Sequence, residues 1–311
     1  MSSVKDIRDW RDLTSRQVEA FFIACGADDP EVIRALLQRR KTIELVDAKR
    51  KLCTKHGLWM PHENNQNLWE VDYDSIPSVS GIDCSPDALV SSGFFGKLSQ
   101  FTFPEYGQLL LEQQRLIASL KFDPLLSNIL RGPFLPVYLP KVETGGHVEF
   151  LIRTLFPAVK PFFPEGFQRH DSPYLSYQRG LVFAPYSNYE LLMGKLAQGP
   201  RVGLFFLAPF EGYDTEGVWK QVKLATLPKG FSLPGVLEIV MLLCMYGSSF
   251  RPGMNSCSLD ATGLQLVHEG QNNALTVYAE SPRWIQHTDD PGGGCSKNQK
   301  NIRALLYTGE N

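Results

Sequence analysis

The chain has little of most things that announce a function. Its 311 residues carry 31 Lys and Arg against 33 Asp and Glu, a formal charge of −2. No excess of positive charge draws it toward nucleic acid or an anionic membrane, so neither is expected as a partner. Six cysteines, at positions 25, 53, 84, 244, 257 and 295, are too scattered in a chain this long for a disulfide-stapled framework. Reduced thiols in a cytoplasmic protein are expected. The opening stretch MSSVKDIRDWRDLTSR lacks the apolar segment of a secretory signal. The most apolar run, Gly235 to Gly247, covers about 13 residues and includes Glu238. A membrane span needs roughly 20, so a buried core helix is expected, with Glu238 on a solvent-facing side of it by default or else buried with a partner. Internal repeats, low-complexity tracts, the P-loop pattern and the EF-hand pattern are all missing from the sequence.

What is present is ordinary globular material, with 43% hydrophobic residues, enough to bury a core. Proline suits the first position of a helix because it has no N–H to leave unpaired, and a preceding Ser or Asp caps the free amides. That signal places helix starts at Asp29-Pro30, Ser85-Pro86 and Asp123-Pro124, with weaker ones at Phe103-Pro104 and Leu233-Pro234. The first would open a long amphipathic helix through Leu52, ending before Gly57. A second runs from Pro104 to Leu120, with Leu109, Leu110, Leu116, Ile117 and Leu120 turned inward. Residues 61–81, polar and rich in turn formers, read as an extended loop.

Beyond Arg131 prolines, aromatics and β-branched runs become frequent. FLPVYLP (134–140) reads as an edge strand, because its prolines cannot donate to a central ladder. Ser187-x-x-Glu190 suggests a capping box opening a helix to Gly199. The apolar run 201–210 suits a strand covered on both faces. LQLVHEG and ALTVYAE suggest a hairpin turning at Gln271-Asn272-Asn273.

Three groups of residues invite chemistry. In DDPGGGCSKNQ (289–299), Ser296 and Gln299 fit a capping box, and Ile302, Leu305 and Leu306 are spaced for one helix face. Cys295 would then sit at a helix N-terminus near Lys297 and Lys300, which favours its thiolate. His287 is the candidate base, Asp289 orients it, and the glycine amides are candidate oxyanion donors. The competing reading is a plain Asp-Pro-Gly turn with IRALLY as a strand, in which case no helix dipole acts on the thiol. Second, Cys53, His56 and His62 form a zinc half-site whose remaining ligands are not local, with Cys84 the nearest thiol. Alternatively Cys53 faces the core at the end of the long helix. Third, residues 156–180 gather Phe162, Phe163, Arg169, His170, Tyr174 and Tyr177, an aromatic and polar mixture that serves either a ligand or partner surface or the packing of a long connection.

The sequence thus predicts a soluble α+β protein, mostly helical over 1–125 and mixed over 126–311 with a small, largely antiparallel sheet. It is expected to act by binding a protein or small molecule through the aromatic, proline-rich C-terminal part. The alternative is a thiol-dependent hydrolase or transferase using Cys295 with His287 and Asp289. No cofactor is indicated.

Overall fold

A computed structural model describes residues 51–65, 68, 70, 71, 73, 76, 78–142, 147–163, 168–169, 181–250, 258–268, 271–278, 283–285 and 301–310. Serine before proline starts the first described helix, α1 (Pro86–Ser91), where the Ser85 hydroxyl accepts from the Ala88 N–H at 3.2 Å. Helix α2 (Phe94–Lys97) follows, then α3 (Tyr106–Lys121). Asp123-Pro124 opens no α-helix. The Asp123 carboxylate accepts from the amides of Leu125 and Leu126, making a local turn that leads into a 3-10 segment, Ser127–Arg131.

Helix α4 (His147–Phe150) and helix α5 (Phe156–Val159) are joined by a π-helical turn. Downstream, α6 (Tyr189–Gln198) begins where expected, but without the capping box. Asn188 occupies the cap in a left-handed conformation at φ 57°, and Ser187 instead donates to the Ala184 carbonyl. Helix α7 (Thr215–Leu224) is capped by Asp214, whose carboxylate accepts from the Gly217 amide at 2.5 Å. Helix α8 (Val236–Phe250) is the apolar run noted above. Among the described residues no helix is long and apolar enough to cross a membrane.

The architecture is mixed α+β with two sheets. The first has the order β1 (Phe134–Leu139), β4 (Arg201–Phe206), β9 (Leu305–Tyr307), β5 (Phe231–Ser232), all antiparallel. Strand β1 is an edge, as its Pro136 requires, and β4 is internal and almost wholly buried. The second sheet has the order β2 (Gln168–Arg169), β8 (Arg283–Ile285), β7 (Gln271–Tyr278), β6 (Ser258–His268), β3 (Leu181–Phe183) and is antiparallel except for the β2–β8 pair. Because His268 pairs with Gln271, residues 271–273 belong to the strand β7 rather than to the turn.

Helix α8 is apolar around most of its circumference and is buried accordingly, with Val236, Leu237, Ile239, Val240, Met241 and Leu242 fully covered and β1 and β6 packed on it. One cluster of buried side chains, from Cys53 through Leu116, Phe205 and Leu237 to Leu306, forms the core. Glu238 is also fully buried, a correction to its expected exposure. It sits in the first turn of α8, accepts from the Gly235 N–H at 2.8 Å and from the Tyr189 hydroxyl, and so satisfies an amide that the helix itself leaves open.

The segment before α1 is not helical from Leu52 onward. Cys53 bridges Trp59 across a turn, and Gly57, at φ 82°, lies where any Cβ would collide with the backbone of Gly132. Residues 59–65 are strapped to the body by Trp59 N–H on the Pro209 carbonyl, by His62 N–H on Gln221, and by the Asn65 amide on the Gly217 carbonyl.

Candidate functional site

Two of the three residue groups singled out from sequence can be placed wholly or in part. Cys53 is buried in the core, where desolvation pushes its thiol up to about 12. His56 is exposed and meets the Tyr73 ring edge-on at 5.1 Å. His62 is half-buried, and its Nδ1 accepts from the Asn64 amide. Cys53, His56 and His62 are not gathered into a ligand set. Among the described residues no three His, Cys, Asp or Glu side chains are placed to hold a metal ion.

Phe162 and Phe163 turn inward. Phe163 is in the core, while Phe162 packs on Phe94 at 5.9 Å with the Lys97 ammonium 4.9 Å above its ring. Arg169 lies on strand β2 opposite Trp284, and His170, Tyr174 and Tyr177 lie outside the described residues. Cys295, His287 and Asp289 also lie outside them. Of the two readings of the segment after Ser296, a helix across Ile302, Leu305 and Leu306 or a strand in IRALLY, the structure shows the strand. Ile302 bridges Leu259, and Leu305–Tyr307 is the strand between β4 and β5.

A different site emerges where α1 meets the start of α3. Cys84, Ser85, Pro86, Asp87, Tyr106, Gly107, Leu110 and Gln113 line a groove of about 450 Å³, open on one side. That volume falls within the range of small-molecule sites. Tyr106, Leu110 and Gln113 share one face of α3 at helical spacing, and the Tyr106 hydroxyl donates to Asp87 of α1, fastening the two helices at the rim. Sequence periodicity assigned Leu110 to the buried side. It is 48% exposed, and Val90 and Leu111 beside it are exposed as well.

Cys84 of the groove wall belongs to a knot of polar side chains in apolar surroundings. The Cys84 thiol donates to the Ile82 carbonyl at 3.5 Å and lies close to the Tyr246 hydroxyl, which donates to the Pro136 carbonyl at 2.9 Å. Burial pushes the Cys84 thiol up, so it stays protonated and poorly nucleophilic near neutral pH. Tyr138 is fully buried on β1 within electrostatic reach of Cys84 and Tyr106, both of which line the groove. Desolvation pushes its phenol up to about 12. The Tyr138 hydroxyl has no hydrogen-bond partner, and neither has the Oε1 of Gln113 in the groove wall. Unmet polar atoms of this kind are uncommon in folded proteins, since each forfeits its water without replacement.

Nothing in sequence pattern alone marked this site. The nearest signal was the second apolar stripe on α3, with Tyr106 and Leu110 on a face that Leu109, Leu116 and Leu120 do not share.

A second buried polar cluster is fully satisfied and reads as structural. Arg303 Nε lies 3.2 Å from Asp260 Oδ2, and both side chains are almost wholly buried. Thr215 and Asn301 donate to the same carboxylate at 3.0 and 2.9 Å, and Arg303 also donates to the Asn301 carbonyl. This cluster ties α7, β6 and the segment before β9 together.

Comparison with known proteins found no protein-family match to the chain, and no curated protein and no solved structure with significant similarity.

Proposed function

We propose that the protein is a binding protein whose ligand is a small, largely apolar molecule held in the groove between α1 and α3. One observation carries the reading: an apolar groove of about 450 Å³ whose wall holds a polar atom, Gln113 Oε1, that the protein itself leaves without a partner. A ligand that covers Leu110 and supplies one hydrogen-bond donor would answer both the exposed apolar surface and the unmet oxygen of Gln113. The binding class matches what the sequence suggests, but the locus moves from the aromatic segment to the groove, because Phe162 and Phe163 are engaged in packing. A reducing, cytoplasmic setting belongs to the same reading and is supported by the free thiols of Cys53, Cys84 and Cys244.

Gly107 provides the test. A Cβ built there meets nothing within 4 Å, so a side chain can be added to the groove wall without disturbing the fold. Gly107→Phe should fill the groove, and Gly107→Ala should leave it open. With the neutral apolar dye Nile red as probe, the wild type and Gly107→Ala should bind with similar affinity, and Gly107→Phe at least about tenfold more weakly. Equal dye binding by all three proteins, with unchanged circular dichroism, would remove the groove from consideration.

A further inference from the structure

We propose that the groove takes an organic amine, whose ammonium group is held at the end formed by Asp87 and Tyr106 while its apolar body runs along α3 over Leu110 toward Gln113. The inference rests on the reading of the groove as a ligand site and adds the charge and the orientation of what enters it.

The lining residues give the groove two ends. Tyr106, Leu110 and Gln113 follow one another on one face of α3. At about 1.5 Å of rise per residue, Tyr106 and Gln113 stand roughly 10 Å apart along the helix, with the half-exposed Leu110 between them. Asp87 of α1 accepts from the Tyr106 hydroxyl, so its carboxylate belongs to the Tyr106 end. One small polar group cannot serve both. The unmet oxygen of Gln113 calls for a neutral or charged donor at one end, and the chemistry of the other end decides the charge.

Asp87 is the charged residue of the lining, and among the described residues no Lys, Arg or His lines the groove. Just outside the lining, Asp83 and Glu105 adjoin Cys84 and Tyr106 in the chain, while Glu112 is paired with Arg115 at 2.8 Å. A carboxylate or phosphate entering here would meet a like charge and no cation. An ammonium meets acceptors. The Tyr106 hydroxyl spends its proton in the hydrogen bond to one oxygen of Asp87, a bond that raises the phenol and keeps it protonated. The Tyr106 oxygen therefore has lone pairs to offer, and Asp87 has a second oxygen. The Tyr106 side chain is about half exposed, which leaves its ring open to a cation as well. Gly107 beside it carries no side chain to crowd the ligand. Because Asp87 is exposed, the ammonium keeps part of its water there, and no charge has to be buried. A lone exposed ion pair contributes little. Here carboxylate, phenol oxygen and ring act together on one cation whose apolar body is anchored on Leu110.

The test is displacement of Nile red from the whole chain near neutral pH by octylammonium, 1-octanol or octanoate, three probes sharing one chain and differing in the end group. Octylammonium should displace the dye at concentrations about fivefold below those of 1-octanol and at least about tenfold below those of octanoate. Its advantage over 1-octanol should shrink as sodium chloride is raised from about 0.02 M to about 0.5 M, because salt screens the attraction to Asp87. Asp87→Asn, which can still accept from the Tyr106 hydroxyl, should remove most of the difference between octylammonium and 1-octanol. Octanoate or 1-octanol displacing the dye as well as octylammonium does would overturn the proposal, as would a preference for octylammonium that survives either high salt or Asp87→Asn in full. The salt series uses the wild type alone and so decides the matter even where the variant is unstable. The two readings fail separately. Insensitivity of dye binding to Gly107→Phe defeats the groove, whereas a groove that binds dye but takes the neutral or anionic probe as readily defeats only the assignment of a cation to Asp87 and Tyr106.

Discussion

Replacing Glu238 with glutamine should flatten the pH dependence of stability between pH 4.5 and about 7. The carboxylate is fully buried, and desolvation raises it from 4.5 to about 7 in the folded protein, opposed by hydrogen bonds from the Gly235 amide and the Tyr189 hydroxyl. Between these two values the folded protein holds a proton that the unfolded chain has released. Stability from this group is therefore fully present below pH 4.5 and is lost as pH rises toward 7, after which it stays constant. The interval corresponds to about 3 kcal/mol, a large part of the stability of an ordinary domain. Glutamine is neutral throughout, is nearly the same size, and can still accept from the Gly235 amide. At pH 5 the variant should match the wild type to within about 1 kcal/mol. At pH 8 it should be the more stable by about 2 kcal/mol, the electrostatic gain less one charge-assisted hydrogen bond. Urea unfolding at several pH values, read as a midpoint shift at constant slope, measures the difference directly, and contributions from the other titrating groups cancel between the two proteins. Parallel stability curves from pH 4.5 to 8 would refute the argument and place the Glu238 carboxylate in contact with water.

Two further sites test the rest of the fold. Arg303→Met should cost about 3 kcal/mol or more, because it leaves the buried Asp260 carboxylate without its cation. Adding Asp260→Asn should recover part of that loss, and chemical denaturation of the single and double variants gives the coupling. Asp214→Ala should destabilise by about 1 kcal/mol through loss of the cap on α7, with Asp214→Asn retaining most of the stability, as thermal unfolding would show.

Where backbone chemistry is local, the sequence is a faithful guide. Ser85-Pro86 starts a helix because the cap and the missing N–H act within four residues, and Pro136 consigns β1 to an edge because one donor is missing. Periodicity fails where partners distant in the chain decide. Ile302, Leu305 and Leu306 have helical spacing, yet β4 and β5 offer unpaired ladders on either side, and two rows of interstrand hydrogen bonds outweigh the preference of a short segment. Glu238 appeared to need solvent because charge in an apolar helix is costly. The compensation comes from Tyr189, some fifty residues away, and from an amide of its own first turn. The groove escaped notice for a related reason. Its wall is two helix faces that read separately as ordinary amphipathic pattern.

The placement of β9 has a consequence for how the chain is made. Strand β4 leaves the ribosome with β1 already available on one side, but its other neighbour lies about one hundred residues downstream, and β5 waits for the same segment. Until Leu305–Tyr307 emerges, Leu204–Phe206 and Phe231–Ser232 present open, apolar ladders to whatever else is nearby. A nascent chain in that condition is a target for chaperones and a seed for misassociation, and an arrest of translation anywhere between β5 and β9 would strand it there.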